Sequence, residues 1–155
     1  MSRAPLTAPA PGAVPQASVE AIRAFIRRDF PQFPWEIERV GQVKGRMSAE
    51  IRARVDTRHL RPGNTVSGPT LMTLADSAAY IAVLAVAGIK PMAVTTSLSI
   101  DFLNKPAADQ DILAVARVLK AGKRLVVCSV EMFNPGVGET PPVLAAASVT
   151  YSVPS

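Results

Sequence analysis

The feature that most constrains this chain is a long apolar stretch, residues 65–88, which carries a single carboxylate. From residue 78 to residue 87 the Tyr80 hydroxyl is the only polar side-chain group. A helix that is apolar on every side is typical of one surrounded by protein. Because burying an unpaired carboxylate is costly, we expect Asp76, near the start of this helix, to be paired, protonated or used in chemistry.

Local signals define both ends of this helix. Pro69 suits a first helical turn, where a missing N–H is harmless, so Ser67 or Gly68 is predicted to be the N-terminal cap. Gly88 is typical of a C-terminal cap, and Pro91 prevents continuation. The stretch approaches the ~20 residues that span a bilayer. An acid inside a membrane helix costs about 2.5–3.5 kcal/mol near the centre, so we favour a core helix and expect no membrane partner.

Strand patterns flank the helix on both sides. A short helix capped by Ser18 is predicted to end near Phe30, because Pro31 follows. Strands are predicted at residues 35–44 and 47–55, with a loop at 56–64, and after the long helix at 92–103, 111–120, 125–133 and 143–153. Short connections predict that the last four are antiparallel neighbours. The fold class is therefore α+β, with an antiparallel β-sheet wrapped around one long central helix.

Length and composition limit the function classes. A chain of 155 residues fits one domain with a real core, which is predicted at residues 18–155. The Pro/Ala-rich residues 1–17 are predicted to be a disordered tail, and they lack the apolar core of a secretory signal. The net charge is +5, and the excess of basic over acidic residues lies before residue 62, without a run of like charges. Only 5% of residues are aromatic, so we expect no nucleic-acid partner. The lone Cys128 excludes an internal disulfide or a cysteine zinc site and favours a cytoplasmic location.

Polar residues near the start of the long helix form the main candidate site. Thr73, Asp76, Ser77 and Tyr80 are spaced at i, i+3, i+4 and i+7, hence on one helix face. From spacing alone, Asp76 is either a functional carboxylate or a structural acid paired with a neighbour. The backbone N–H of Gly68, at the positive end of the helix dipole, is suited to stabilise a carbonyl oxygen that gains negative charge.

Other reactive residue types carry weaker signals. His59, the only histidine, is most simply a solvated loop residue, and Cys128 most simply a packed core thiol. Basic residues cluster around the loops of the later strands, as a solvated rim or as phosphate contacts: Lys105, Arg117, Lys120, Lys123 and Arg124.

The helix start has a recognisable pattern. Residues 67–78, SGPTLMTLADSA, resemble the beginning of the central helix in hot-dog-fold acyl-CoA thioesterases of the phenylacetate-degradation (PaaI-like) family, which typically read His-Gly-Gly and then Leu-Ala-Asp-x-Ala. The resemblance continues through residues 94–102, the charged hairpin at 116–125 and the strand at 147–151. Ser67 stands where that family has His, and Pro69 where it has a second Gly.

The resemblance implies roles for single residues. Asp76 would act as nucleophile or general base, with the Gly68 N–H polarising the thioester carbonyl, and both are expected to face the same thioester. Thr95, or its neighbour Thr96, would help to place water and would serve a helix of the partner subunit, because the family's sites lie at dimer interfaces. The expected substrate-binding residues are Asn64, Ser67, Thr73, Ser77, Thr96, Lys105, Lys123 and Arg124.

The predicted function is hydrolysis of acyl-CoA to a free acid and CoA, with no metal and no cofactor, by a homodimer or dimer of dimers. One alternative is a binding module of the same fold that holds an acyl thioester without turnover. A membrane-associated protein that uses the apolar helix is a second alternative. A hot-dog dehydratase normally needs a His–acid pair, and His59 is poorly placed for one.

Overall fold

The computed structural model of the protein describes residues 15–154. Its helices and strands are, in chain order, α1 (Val19–Asp29), β1 (Glu36–Val43), β2 (Arg46–Ala53), β3 (Leu60–Arg61), β4 (Thr65–Val66), α2 (Gly68–Ala87), β5 (Val94–Phe102), β6 (Ile112–Ala121), β7 (Leu125–Phe133) and β8 (Ala145–Ser152).

The helix α2 forms the core. Every side chain from residue 78 to residue 86 is buried, against β2, β6, β7 and β8. At its start the Ser67 hydroxyl accepts a hydrogen bond from the Thr70 N–H at 3.3 Å, and at its end Gly88 adopts a φ of 89°, which side chains disfavour. The predicted helix ends are confirmed, because local chemistry at both termini sets them.

The same helix is long and apolar enough to cross a membrane by length and composition, the one such helix among residues 15–154. Its most apolar window is 67% buried inside the fold. A core helix passes the same test, so its apolar character is explained by the sheet around it.

A six-stranded antiparallel sheet, in the order β1-β2-β6-β7-β8-β5, curves around α2. The alternation in β2 places Met47, Ala49, Ile51 and Ala53 against the helix, each at most 1% exposed. The predicted α+β fold, with one antiparallel sheet wrapped around one long helix, is confirmed. The strand predicted at residues 47–55 ends at Ala53, before the turn that Asp56 begins.

The position of β5 corrects one prediction. The last four strands were expected to be consecutive neighbours, yet β5 pairs with β8 at the edge of the sheet, Leu98 opposite Val149. The strand β6 cannot accept β5, because β2 and β7 occupy both its sides, with Ala49 and Val130 opposite Ala116. The connection after β5 therefore carries the chain from the edge to the middle of the sheet.

The segment predicted as a plain loop, residues 56–64, also contains regular structure. A 3₁₀ turn, Thr57–His59, is capped by Asp56, whose carboxylate accepts from the Arg58 N–H at 2.9 Å. The hydrogen-bonded Arg58 side chain lowers the pKa of Asp56 to about 2. Next comes the small β3–β4 hairpin, in which Asn64 has a positive φ of 56°.

The N-terminal prediction falls partly within the described residues. Residues 1–14 of the predicted tail lie outside them. The Gln16 N–H donates to the Ala85 carbonyl of α2 at 2.7 Å, and Ala17 is buried. The last residues assigned to the tail thus pack on the core helix, because Ala17 adds to its apolar surface. Ser18 caps α1 as predicted, accepting from the Ala21 N–H at 3.1 Å.

Candidate active site

A crevice of about 640 Å³ opens beside the first half of α2. Thr73, Asp76, Ser77 and Tyr80 line it, so the predicted polar helix face is confirmed. The opposite wall comes from β5 and β8, and the end of α1 adds aromatic side chains: Phe25, Phe30 and Phe33. A carboxylate in a partly apolar cleft is a typical arrangement for a reactive site.

Two hydroxyl groups hold the half-buried Asp76 carboxylate. The Thr95 hydroxyl donates to Asp76 Oδ1 at 2.5 Å, and the Tyr151 hydroxyl donates to the same oxygen at 2.9 Å. The Tyr151 hydroxyl also lies 3.2 Å from the Asp76 carbonyl oxygen. Within residues 15–154 the other carboxylate oxygen, Oδ2, receives no hydrogen bond, which leaves it available to a reactant.

Tyr151 is a site residue that the sequence reasoning missed. Its side chain is 4% exposed and its ring stacks on Tyr80 with centroids 5.7 Å apart. Burial, together with the nearby Asp76 carboxylate, raises the pKa of Tyr151, so the phenol stays a proton donor at neutral pH. The alternation of buried residues in β8 was the available signal, because a buried tyrosine hydroxyl needs a partner.

Ser77 has a structural partner as well as a place in the crevice. Its hydroxyl accepts from the Trp35 Nε1–H at 3.2 Å, and the Trp35 ring lies 5.6 Å from the His59 ring. His59 Nδ1 accepts from the Asp56 N–H at 3.0 Å, so His59 belongs to the turn rather than to the crevice. It lies in the loop as predicted, but its side chain is only 16% exposed because its ring packs beside Trp35, so it is not the solvated residue that was expected.

Gly68 opens into a second crevice, of about 400 Å³, at the start of α2. A Cβ at this position would lie 3.3 Å from Phe102 Cζ, so glycine leaves room beside the helix N-terminus. The first N–H groups of a helix have no acceptor within the helix and point outward. Arg61 and Lys105 flank this opening, and Arg61 is a second residue that the sequence reasoning did not select.

Gly68 and Asp76 do not face the same crevice of one chain. They are eight residues apart on one helix, which corresponds to about 12 Å along the helix axis. A thioester carbon bonded to its oxygen cannot contact both groups at that separation. The expectation that both face one thioester is therefore wrong within a single chain.

Thr95 also differs from its expected arrangement. It was expected to serve a helix of the partner subunit, but its hydroxyl contacts Asp76 of its own chain. The cause is the edge position of β5, which places Thr95 opposite Tyr151 of β8 and next to α2. The adjacent Thr96 donates to the Thr150 carbonyl at 3.3 Å and does not line the Asp76 crevice.

Of the remaining predicted site residues, only Thr73 lines the Asp76 crevice. Thr73 lines the same crevice and donates to the Pro69 carbonyl at 3.0 Å. Ser67 uses its hydroxyl to cap α2, and Lys105 belongs to the Gly68 crevice. Three other residues line neither of these two crevices: Asn64, Lys123 and Arg124.

No group of three His, Cys, Asp or Glu side chains in the described part of the chain could hold a metal ion. Cys128 is fully buried, and burial raises the pKa of its thiol to about 12. It therefore behaves as the core residue that its strand pattern predicted.

A long helix inside a curved antiparallel sheet is the architecture of a hot-dog-type fold, and here the helix carries a carboxylate held by two hydroxyl groups. Residues 63–140 match the Thioesterase superfamily, and the chain belongs to that superfamily. The predictions of a hot-dog thioesterase family and of a thioester-hydrolysing enzyme are thereby confirmed.

Known proteins support the same assignment. The chain is 37% identical to a provisionally assigned thioesterase from Silicibacter sp. TM1040. The two structures superpose with a TM-score of 0.77, and the match covers 93% of this chain and 96% of that one. It is 28% identical over 125 residues to human acyl-coenzyme A thioesterase 13, across 80% of this chain and 87% of that protein. The E. coli PaaI protein from the phenylacetic acid degradation operon shares the fold, with a TM-score of 0.71 at 20% identity over 96% of this chain and 97% of that one.

Proposed function

We propose that this protein hydrolyses acyl-CoA thioesters to a free carboxylic acid and CoA, with Asp76 as the reactive carboxylate. The observation that carries this proposal is the pair of hydroxyl donors on Asp76 Oδ1, which orient the carboxylate and leave Oδ2 free. The relatedness to human acyl-coenzyme A thioesterase 13 supports acyl-CoA as the substrate class.

In this proposal Asp76 Oδ2 either attacks the thioester carbon or takes a proton from the water that attacks it. The carbonyl oxygen gains negative charge as the new C–O bond forms and needs a donor such as the Gly68 N–H. The C–S bond then breaks and CoA leaves as the thiolate. If Asp76 acts as the base, the thiolate takes the proton that Asp76 removed from water, and the water oxygen remains in the acid. If Asp76 acts as the nucleophile, water cleaves the mixed anhydride at Asp76, which frees the acid and the carboxylate, and a proton of that water goes to the thiolate. Thr95 and Tyr151 act as positioning residues for the carboxylate.

The 12 Å separation on α2 suggests that the donor comes from a second copy of the chain. The edge strand β5 runs past both crevices: Val94 lines the Asp76 crevice and Phe102 lines the Gly68 crevice. If two β5 strands pair antiparallel about a two-fold axis, the Val94 end of one strand lies next to the Phe102 end of the other. Asp76 of each copy would then approach Gly68 of the partner subunit.

Exposed apolar residues at this edge support a homodimer. Val94 is 55% exposed, Phe102 53% and Leu103 55%, although each is a large apolar side chain. An open sheet edge with such side chains can pair with a strand of another chain. We propose a homodimer with two shared sites, which is compatible with further pairing into a dimer of dimers. Arg61 and Lys105 of the Gly68 crevice would then meet the CoA phosphates.

The reaction is tested by thiol release from acyl-CoA, with wild type compared with Asp76→Asn. Because Cys128 is buried, we expect it not to react with the thiol reagent in the native protein. We expect Asp76→Asn to lower kcat by about 10²–10⁴, the range typical of a lost acid–base group. Equal rates in the two proteins would rule out the assignment of Asp76. Saturable acyl-CoA binding without any thiol release would instead support the binding-module alternative.

The shared site is tested by combining two defective chains. Gly68→Pro removes the N–H at a first helical position, but it also places a ring beside Phe102 and directly before Pro69, so its stability is measured alongside kcat. The matched control is Gly68→Ala, which adds a Cβ beside Phe102 but keeps the N–H. We expect a kcat loss of about 10²–10³ for Gly68→Pro and a clearly smaller one for Gly68→Ala.

Differently tagged Gly68→Pro and Asp76→Asn chains are then co-expressed and the mixed dimer is purified. One of its two sites would combine both defects and the other would carry neither, so about half of wild-type activity should return. If Gly68 and Asp76 act within one chain, the mixed dimer stays inactive. Size-exclusion chromatography with light scattering measures the dimer directly.

We further propose that the enzyme works in the cytoplasm. The single cysteine, which is free and buried, is compatible with a reducing compartment. Fractionation of the native cells is the test, and recovery outside the soluble cytoplasmic fraction would contradict this location.

A further inference from the structure

A third crevice, of about 490 Å³, lies between α1 and β1 and has no role in the proposed reaction. Most of its lining is apolar: Ile26, Phe30, Pro31, Phe33, Trp35 and Ile37. The remaining lining residues are charged: Arg23, Arg27 and Glu36. A mostly apolar groove of this size can hold a hydrocarbon chain.

This crevice borders the Asp76 crevice. Phe30 and Phe33 line both of them, so the two rings form the wall between the two spaces. The rings meet edge to face with centroids 5.8 Å apart, and Phe30 also lies 6.2 Å from the Tyr80 ring. An acyl chain that starts at Asp76 and extends past Tyr80 would therefore meet Phe30 before it could reach the third crevice.

The backbone fixes where the Phe30 ring stands. The Phe30 N–H donates to the Ile26 carbonyl at 2.9 Å, and the Phe33 N–H donates to the Phe30 carbonyl at 3.1 Å. Pro31 prevents further helix, so the chain turns at this point. Phe30 itself is 37% exposed, so its ring contributes less to the core than to the wall between the crevices.

We propose that the bulk of the Phe30 side chain sets the acyl chain length of this enzyme, and that the crevice between α1 and β1 takes the distal methylenes of a longer acyl chain once that side chain is truncated. This inference rests on the proposed acyl-CoA hydrolysis. The polar end of the substrate stays at Asp76 in either case, so the ring acts on specificity and not on the chemical step.

The test is kcat/KM for saturated acyl-CoAs from butanoyl to hexadecanoyl. In wild type each added methylene should raise kcat/KM about fourfold, from about 0.8 kcal/mol per buried methylene, until the chain meets Phe30. Beyond that length the value should level off or fall. Phe30→Ala should continue the rise by at least two methylenes, which is more than tenfold for the longest esters.

Phe30→Leu is the matched control, because it removes the ring but keeps a bulky side chain, and it should retain the wild-type length limit. Phe33→Ala opens the other half of the wall and should also extend the limit, which keeps the test decisive if Phe30→Ala is unstable. An unchanged length profile in both alanine variants would overturn the inference. Failure of wild type to hydrolyse any ester would instead overturn the proposed function.

Discussion

Replacing Tyr151 with phenylalanine removes one oxygen atom from the candidate site and leaves the ring stacked on Tyr80. The lost hydroxyl donates at 2.9 Å to Asp76 Oδ1 and lies 3.2 Å from the Asp76 carbonyl oxygen. A hydrogen bond to a charged group contributes about 1.5–3 kcal/mol, and the tyrosine is buried, so little solvent can replace it. We expect the free energy of unfolding to fall by about 2 kcal/mol.

That loss should depend on the charge at position 76. In an Asp76→Asn background the tyrosine donates to a neutral amide oxygen, and a neutral hydrogen bond is about half as strong as a charge-assisted one. Tyr151→Phe should therefore cost about 1 kcal/mol less there than in wild type. For a chain of this size, 2 kcal/mol corresponds to a melting temperature lower by roughly 4–8 °C.

The assay is a double-mutant cycle by urea unfolding, combined with kcat/KM for a single acyl-CoA. We expect a coupling free energy of about 1 kcal/mol and a loss of kcat/KM in Tyr151→Phe, because the carboxylate loses one of its two positioning donors. Equal stability losses in both backgrounds, together with an unchanged kcat/KM, would refute the positioning role.

Two further outcomes follow from local structure. Ser67→Ala removes the cap of α2 and should lower the free energy of unfolding, measured by urea titration, by about 1 kcal/mol. Ser67→Asn keeps a capping side chain and should retain most of the wild-type stability. Equal losses in the two variants would show that the cap is not stabilising. Cys128 should resist a thiol reagent at pH 8 in the native protein and react fully in urea, because burial raises its pKa to about 12. Rapid reaction of Cys128 in the native protein would contradict the packing of β7.

The central helix and its reactive face could be predicted from the sequence because their signals are local. Ser67, Pro69 and Gly88 act within a few residues of the helix ends, and the spacing of Thr73, Asp76 and Ser77 is fixed by helix geometry. Such features do not depend on which strands pair with one another. The same holds for the alternation in β2, where every second residue from Met47 to Ala53 is buried.

The features that the sequence did not reveal depend on distant pairing. The edge position of β5 is decided by competition for β6, and no local pattern records it. Tyr151 meets Asp76 across 75 positions of sequence, through the pairing of β8 with β5 and β7. The separation of Gly68 from Asp76 is different, because eight residues of helix already imply about 12 Å.

The exposed side of α2 explains why a site shared between two copies of the chain suits this fold. A sheet that wraps a helix buries most of its surface, so functional groups on that helix can be reached only where the sheet ends, which here is beside β5. Asp76 and Gly68 both lie along that border, but at different crevices. A two-fold partner that covers the exposed Val94 and Phe102 would remove an aggregation-prone edge and also supply the missing donor. One interface would thus meet a requirement of stability and a requirement of chemistry, which is why the mixed-dimer experiment tests both.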